Sequence, residues 1–250
     1  MIDNGNNTCE VKLRIDEGTS SLDVNAELIT HGYAVELTPA TTNRNSPTMD
    51  RSAQQALVRG LAIAFPGQGV SGSEGKSRQD LPKLPLPMED FRAVVVIVND
   101  PGSFYIQVAS KENAEVITNL GTNLNAYYSQ EGLKGYRPSI GELCAAQFSQ
   151  DHGWYRARAI EETSSDGVIK VLFVDFGNEE TVHTNVVREL SLEFRKIPIM
   201  AQHCSLAGVL PSLDQGGKWS SEVIEFVKSK VILRCTGGFT NQASICSVVV

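Results

Sequence analysis

Between Gly141 and Glu189 the chain runs GELCAAQFSQDHGWYRARAIEETSSDGVIKVLFVDFGNEETVHTNVVRE. Runs rich in β-branched and aromatic residues alternate there with turn signals, and this constrains the fold more than any other stretch does. LCAAQF, WYRARAI, VIKVLFVDF and TVHT read as strands, with SQDHG, SSDG and GNEE as the turns between them. Strands of about five to seven residues at this spacing predict a small barrel or a strongly bent sheet. Along WYRARAI, alternation sets outward arginines, Arg156 and Arg158, against Tyr155, Ala157 and Ala159.

Composition narrows the function classes. A chain of 250 residues holds one or two domains, and 41% hydrophobic with 20% charged residues is ordinary for a globular protein. No apolar run approaches the ~18–20 residues that span a membrane. The N-terminus, MIDNGNNTCE, lacks the features of a signal or transit peptide. Cys9, Cys144, Cys204, Cys235 and Cys246 include no C-x-x-C pair and read as reduced thiols of an intracellular protein. His31, His152, His183 and His203 have no zinc-ligand spacing, so neither a metal nor a cofactor is expected. The net charge of −7 disfavours binding to a phosphate backbone. Residues 140–190 carry nine acidic and four basic side chains. Such a surface attracts cationic ligands, although it also serves simply to keep a protein soluble.

Along the rest of the chain, CEVKLRI alternates as a strand with Val11, Leu13 and Ile15 on one side. SSLDVNAELITHG follows as a helix, with Ser21 as N-cap and Gly32 as its stop. Asp50–Phe65 has helical spacing, and Pro66 to Pro87 reads as linker. FRAVVVIVND and SFYIQVAS form two strands around an NDPGS turn. Asn113 to Tyr128 is a helix with Val116, Ile117, Leu120, Leu124 and Tyr127 on one face. Later, IPIMAQHCSLAGV, VILRCTGG and ASICSVVV read as strands, and WSSEVIEFVKSK as a helix.

Two linked motifs, FSQDHGWYRARAI and VLFVDFGNEETV, resemble the Tudor domain, in particular the extended Tudor domains of germline tandem-Tudor proteins. DPGSFYIQVAS resembles the strand pair that precedes the Tudor core in that family. The resemblance implies a mostly β fold with a few helices. An SH3-like Tudor barrel would be inserted in a staphylococcal-nuclease-like β-barrel of the OB type. Residues 91–250 would form the extended Tudor domain, with the Tudor core at about 138–190 and the nuclease-like barrel at 91–130 and 195–250. DVNAELITHGYA resembles the end of such a unit. Residues 9–37 are then expected to be the C-terminal tail of a preceding repeat, packed on the barrel of the same or a neighbouring molecule. Residues 38–90 would be a flexible linker.

By motif position, Phe148, Tyr155, Phe173 and Phe176 would form an aromatic cage, with Asn178 beside it. Methylation leaves a guanidinium charged but gives it fewer N–H groups and more apolar surface. Ring faces attract such a cation, at roughly 0.5–2 kcal/mol per good contact. The Asn178 amide oxygen can accept a remaining N–H. Phe173 and Phe176 stand where tyrosine is common in the family, so hydroxyl hydrogen bonds are lost there. The SQDHG hairpin is one residue longer, which bears on how Phe148 sits relative to Tyr155. Read alone, Phe173 is a core residue, Trp154 belongs to the core on the opposite strand face, and Asp175 and Arg156 are structural.

The resemblance implies a non-catalytic reader of symmetrically dimethylated arginine in Arg-Gly or Arg-Ala tails. Its expected partners are Piwi-class Argonautes in cytoplasmic germ granules, together with other Tudor repeats of the same chain. A methyl-lysine reader is the nearest rival, and Asn178 favours the planar guanidinium over it. A single-stranded nucleic-acid module of the OB type would need basic, aromatic grooves, which these strands lack. A nuclease would need clustered carboxylates, which the barrel segments also lack.

Overall fold

The computed structural model describes residues 8–17, 20–37, 80–130, 134–162, 167–212, 216–231 and 245–249. Strand β1 (Cys9–Glu17) buries Val11, Leu13 and Ile15, as its alternation requires. It pairs antiparallel with β2 (Ser20–Asp23), which leads into helix α1 (Val24–Thr30). Ladder pairing draws Ser21, the expected cap of this helix, into β2. Asp23 caps instead, its carboxylate accepting the Ala26 N–H at 3.1 Å. Gly32 (φ +71°) ends the helix in the left-handed region, with Tyr33 N–H donating to Leu28 C=O at 2.9 Å. Strand β3 (Ala34–Glu36) follows.

The linker expected over 38–90 ends earlier than its proline pattern suggests. Leu81 is 4% exposed, and Lys83 bridges in parallel to Ile199, whose N–H donates to Pro82 C=O at 2.8 Å. The helix expected at Asp50–Phe65 lies outside the described residues. Strands β4 (Phe91–Asp100) and β5 (Ser103–Val108) form a hairpin. Helix α2 (Lys111–Tyr128) follows, capped by the Ser110 hydroxyl. Leu120, Leu124 and Tyr128 are its buried face, whereas Val116 and Tyr127, expected there, are exposed. Tyr128 takes the inner place because its hydroxyl is engaged on both sides. It donates to Glu189 C=O at 2.9 Å and accepts from Ser191 N–H at 2.8 Å.

The next five strands form the smaller barrel: β6 (Leu143–Gln147), β7 (Trp154–Glu162), β8 (Val168–Phe173), β9 (Glu179–His183) and β10 (Val187–Glu189). They pair antiparallel in the order β10-β6-β7-β8-β9. Ala146, Ala157, Ala159, Ile169, Val171, Phe173 and Val187 fill its interior. Its outer face carries Trp154, which packs with Leu120, Leu124 and Tyr128 of α2. Of the SSDG turn, only Gly167 is described, at φ +77°.

Beyond this barrel the chain returns to the larger sheet through β11 (Gln202–Leu206), β12 (Val209–Pro211), α3 (Ser221–Val231) and β13 (Ile245–Val249). Of IPIMAQHCSLAGV, only QHCSL forms a strand, and its last residue, Val209, opens a second short one. The VILRCTGG strand falls almost wholly outside the described residues. The larger sheet has the order β11-β5-β4-β13-β1-β2, and β1 also pairs with β11. Residues 9–37 therefore close the larger barrel of their own chain. The fold is that of a smaller closed barrel inserted into a larger β-structure, mostly β with three helices among the described residues.

Arg156 corrects the expected outward pair. It is 1% exposed and lies on the Trp154 face of β7, between the smaller barrel and the 194–200 segment. Its Nε and Nη2 donate to the Asp175 carboxylate at 2.8 and 2.6 Å. Nη1 donates to the carbonyls of Phe194 and Ile197, and Nη2 also to that of Pro198. Arg158 pairs with the exposed Asp80 at 3.0 Å. Arg156→Met strands a buried carboxylate and is expected to lower the unfolding free energy by about 3–5 kcal/mol in urea titrations. Arg158→Met is expected to change it by less than about 1 kcal/mol. Equal losses in the two variants would contradict this assignment.

Candidate functional site

The rings expected to form a cage converge at one end of the smaller barrel. Phe148 follows β6, Tyr155 lies on β7, Phe173 ends β8 and Phe176 sits in the turn after it. Ring centroids are 5.4 Å apart for Phe148–Phe173, 6.0 Å for Tyr155–Phe173, 5.4 Å for Tyr155–Phe176 and 6.3 Å for Phe148–Tyr155. All four pairs meet edge to face, which suits the ring quadrupoles. Phe173 is 1% exposed and forms the base against which Phe148 and Tyr155 pack, while Phe176 packs on Tyr155; these three are half-buried.

Tyr155 is fixed by its hairpin. Its hydroxyl donates to Asp151 Oδ2 at 2.6 Å, and Asp151 Oδ1 accepts the Gly153 N–H at 2.8 Å. His152 takes a left-handed φ of +57°, and Gly153 lies close under the ring, which accommodates the longer hairpin. Burial, and then the Asp151 carboxylate, push the Tyr155 phenol up to about 12. Glu180 also faces the cluster, accepting the Ser149 N–H at 3.3 Å. Glu179 instead pairs with Lys170 at 2.6 Å.

The D-F-G-N turn is held from three sides. Gly177 N–H donates to Phe173 C=O at 2.7 Å, and Phe173 N–H to Asn178 C=O at 2.9 Å. The Asp175 carboxylate takes Arg156 and also the Met200 N–H at 3.0 Å. From the larger sheet, Gln107 Nε2 donates to Asp175 C=O at 2.6 Å. Tyr105 lies so close over Gly177 (φ +87°) that a Cβ built there would fall inside its ring. Beside Tyr105, the His203 ring lies tilted at 4.7 Å between centroids and contacts Ser103 and Thr8 through its two nitrogens. Asn178, two residues beyond Phe176, is half-buried, and its side-chain amide makes no hydrogen bond among the described residues.

Trp154 is a core residue, as expected, and of the alternating Phe104 and Tyr105 it is Phe104 that lies in the core. The supports from Tyr105, Gln107 and Asp151 carry no signal of their own in the sequence. Only the alternation of Phe104 with Tyr105 hints at two different environments there. Chemically, the cluster offers π-faces, an unengaged amide and nearby carboxylates, a set suited to a cation with apolar substituents.

The Tudor domain family model matches residues 85–208. An extended Tudor domain of mouse TDRD1, solved with a MILI peptide containing dimethylarginine, superimposes with a TM-score of 0.57 at 27% identity. That match covers 66% of this chain and 86% of the other. This chain carries an extended Tudor domain. The human TDRD1 extended Tudor domain, solved with a symmetrically dimethylated peptide, gives a TM-score of 0.55 at 27% identity, covering 70% of this chain and 87% of that one. Tudor domain-containing protein 1 of Danio rerio is 33% identical over 188 residues, 70% of this chain and 16% of that protein. The Homo sapiens protein of that name is 26% identical over 248 residues, 99% of this chain and 19% of its own length. The chain thus spans under a fifth of either relative.

In this extended Tudor domain, Gly177→Ala combines left-handed strain of roughly 1–3 kcal/mol with overlap against Tyr105. Thermal unfolding is expected to show a clear loss, partly recovered by adding Tyr105→Ala, which removes the overlap but not the strain. No recovery would place the whole cost in the backbone. The Tyr155 pKa is higher in the fold than in the unfolded chain, so its contribution is fully present below about pH 10 and is lost as pH rises through about 12. In ultraviolet titration, replacing Tyr155 with Phe should therefore remove one late-ionising phenol, while that of Tyr128, also pushed up to about 12, remains.

Proposed function

We propose that this extended Tudor domain is a non-catalytic reader of symmetrically dimethylated arginine in Arg-Gly or Arg-Ala tails. The observation that carries the reading is the cluster of three half-buried rings with Phe173, in which Phe148 and Tyr155 meet Phe173 and Phe176 meets Tyr155, and Asn178 with its unengaged amide follows two residues after Phe176. Phe148, Tyr155 and Phe176 act as walls for a flat cation, Phe173 as the base, and Asn178 as acceptor for one guanidinium N–H. Asp151 and Glu180 favour a cationic visitor without contacting it directly. The dimethylated peptides bound to the similar mouse and human domains support the same reading.

The partners that fit are arginine-methylated tails of Piwi-class Argonautes, and the setting is a cytoplasmic germ granule. The domain would act as a scaffold, with tandem repeats raising a modest affinity by avidity. Residues 9–37 are read as the tail of a preceding repeat and residues from 91 onward as the next one.

Calorimetric titration of one Arg-Gly peptide, unmodified and in its symmetric and asymmetric dimethylated forms, tests this. The symmetric form is expected to bind at least tenfold tighter than the unmodified one, and Phe176→Ala to remove that difference. Indistinguishable affinities, or a variant that binds undiminished, would overturn the reading.

A further inference from the structure

The closure of the larger barrel points to an interaction that the reader function does not include. Strand β1 sits between β11 and β13, yet no hairpin joins it to either. It runs parallel to β11, with Cys9, Glu10 and Val11 opposite Cys204, Ser205 and Leu206. It runs antiparallel to β13, with Lys12 to Arg14 opposite Val249 to Ser247. The rest of the segment follows it in. β3 pairs with β12, Ala207 N–H donates to Val11 C=O at 2.8 Å, and Asn25 Nδ2 to Ala207 C=O at 2.7 Å. Val11, Leu13, Ile15, Val24 and Leu28 are all at most 4% exposed in the common core. This is the docking of a separate β-β-α-β piece into a slot, by backbone pairing and apolar side chains together.

Only residues Thr38–Arg78 connect that piece to the body it completes. At ~3.3–3.6 Å per residue, those 41 residues can span at most roughly 140 Å, several times the diameter of a small domain. A neighbouring body therefore lies within reach.

We infer that the slot between β11 and β13 is an acceptor for residues 9–37 of a second copy of this chain, as well as for its own. The contacts are identical in the closed monomer and in the exchanged pair, so none favours one over the other. Connection alone decides between them. The tethered segment competes at an effective concentration set by the length of the connection, on the order of millimolar or below. Dilute chains close on themselves, whereas copies held side by side exchange segments and become linked through their barrels. This inference rests on the barrel and not on the aromatic cluster.

The test begins with the full chain carrying a protease recognition sequence within residues 38–78. After cleavage, the two pieces should co-elute in size-exclusion chromatography and separate only in denaturant. A fluorescent peptide of residues 1–37, added in excess to the cut complex and warmed below its unfolding midpoint, should displace the bound piece. The same peptide with Leu13→Asp should not. The intact chain, refolded at about millimolar concentration, should yield a species of about twice its 27.2 kDa mass that persists after dilution. Pieces that part on cleavage would overturn the inference. So would a peptide that never enters the cut complex, or refolding that gives monomer at every concentration.

Discussion

The ion pair of Arg156 with Asp175 organises the molecule around it. A buried guanidinium is tolerable only if its donors are matched, and here they meet one carboxylate and three carbonyls. These partners come from the turn after β8 and from the 194–200 segment that leads back to the larger sheet. One side chain thus holds the smaller barrel and the segment that leaves it in a fixed relation. Because the Asp175 carboxylate also receives the Met200 N–H, the turn bearing Phe176 and Asn178 is fixed by the same group. The cluster at the barrel's end is therefore built on a rigid base, as preorganised recognition requires.

The larger sheet reaches that turn by a second route. Gln107 binds the Asp175 carbonyl and Tyr105 covers Gly177, so β5 presses on the backbone between Phe176 and Asn178. His203, packed against Tyr105, meets Thr8 just before β1. Burial holds this imidazole's pKa below the ordinary histidine value, which keeps it neutral and able to pair with both hydroxyls. Contacts are thus continuous from the strand that closes the larger barrel to the residues that would hold a ligand.

Much of this is legible in the chain. Period-two alternation places Val11, Leu13 and Ile15 inward, and the paired motifs place the four rings together. Alternation misplaces Arg156 because β7 is packed on both faces, so neither face is marked as solvent. Its partners lie 19 to 42 residues further on, beyond any local pattern. Tyr127 and Tyr128 are neighbours on a helix whose apolar stripe covers both, and only the hydrogen bonds of Tyr128 separate them. Ser21 loses its capping role to sheet pairing, a tertiary effect that overrides local propensity. Leu81 lies hidden in a proline-punctuated stretch that resembles a linker until the distant Ile199 bridges to its Lys83.

Methylation changes a guanidinium little in charge and much in surface, so a reader must sense apolar area and lost donors. In the proposed site, the rings would supply the first and the Asn178 amide the second, provided the N-methyl groups enter between the rings. Proton NMR of a symmetrically dimethylarginine peptide observes this directly. The N-methyl resonance is expected to move upfield on binding and to show contacts to the ring protons of Phe148, Tyr155 and Phe176. A peptide that binds with its methyl resonance unmoved, and with no contact to those rings, would contradict the proposed site.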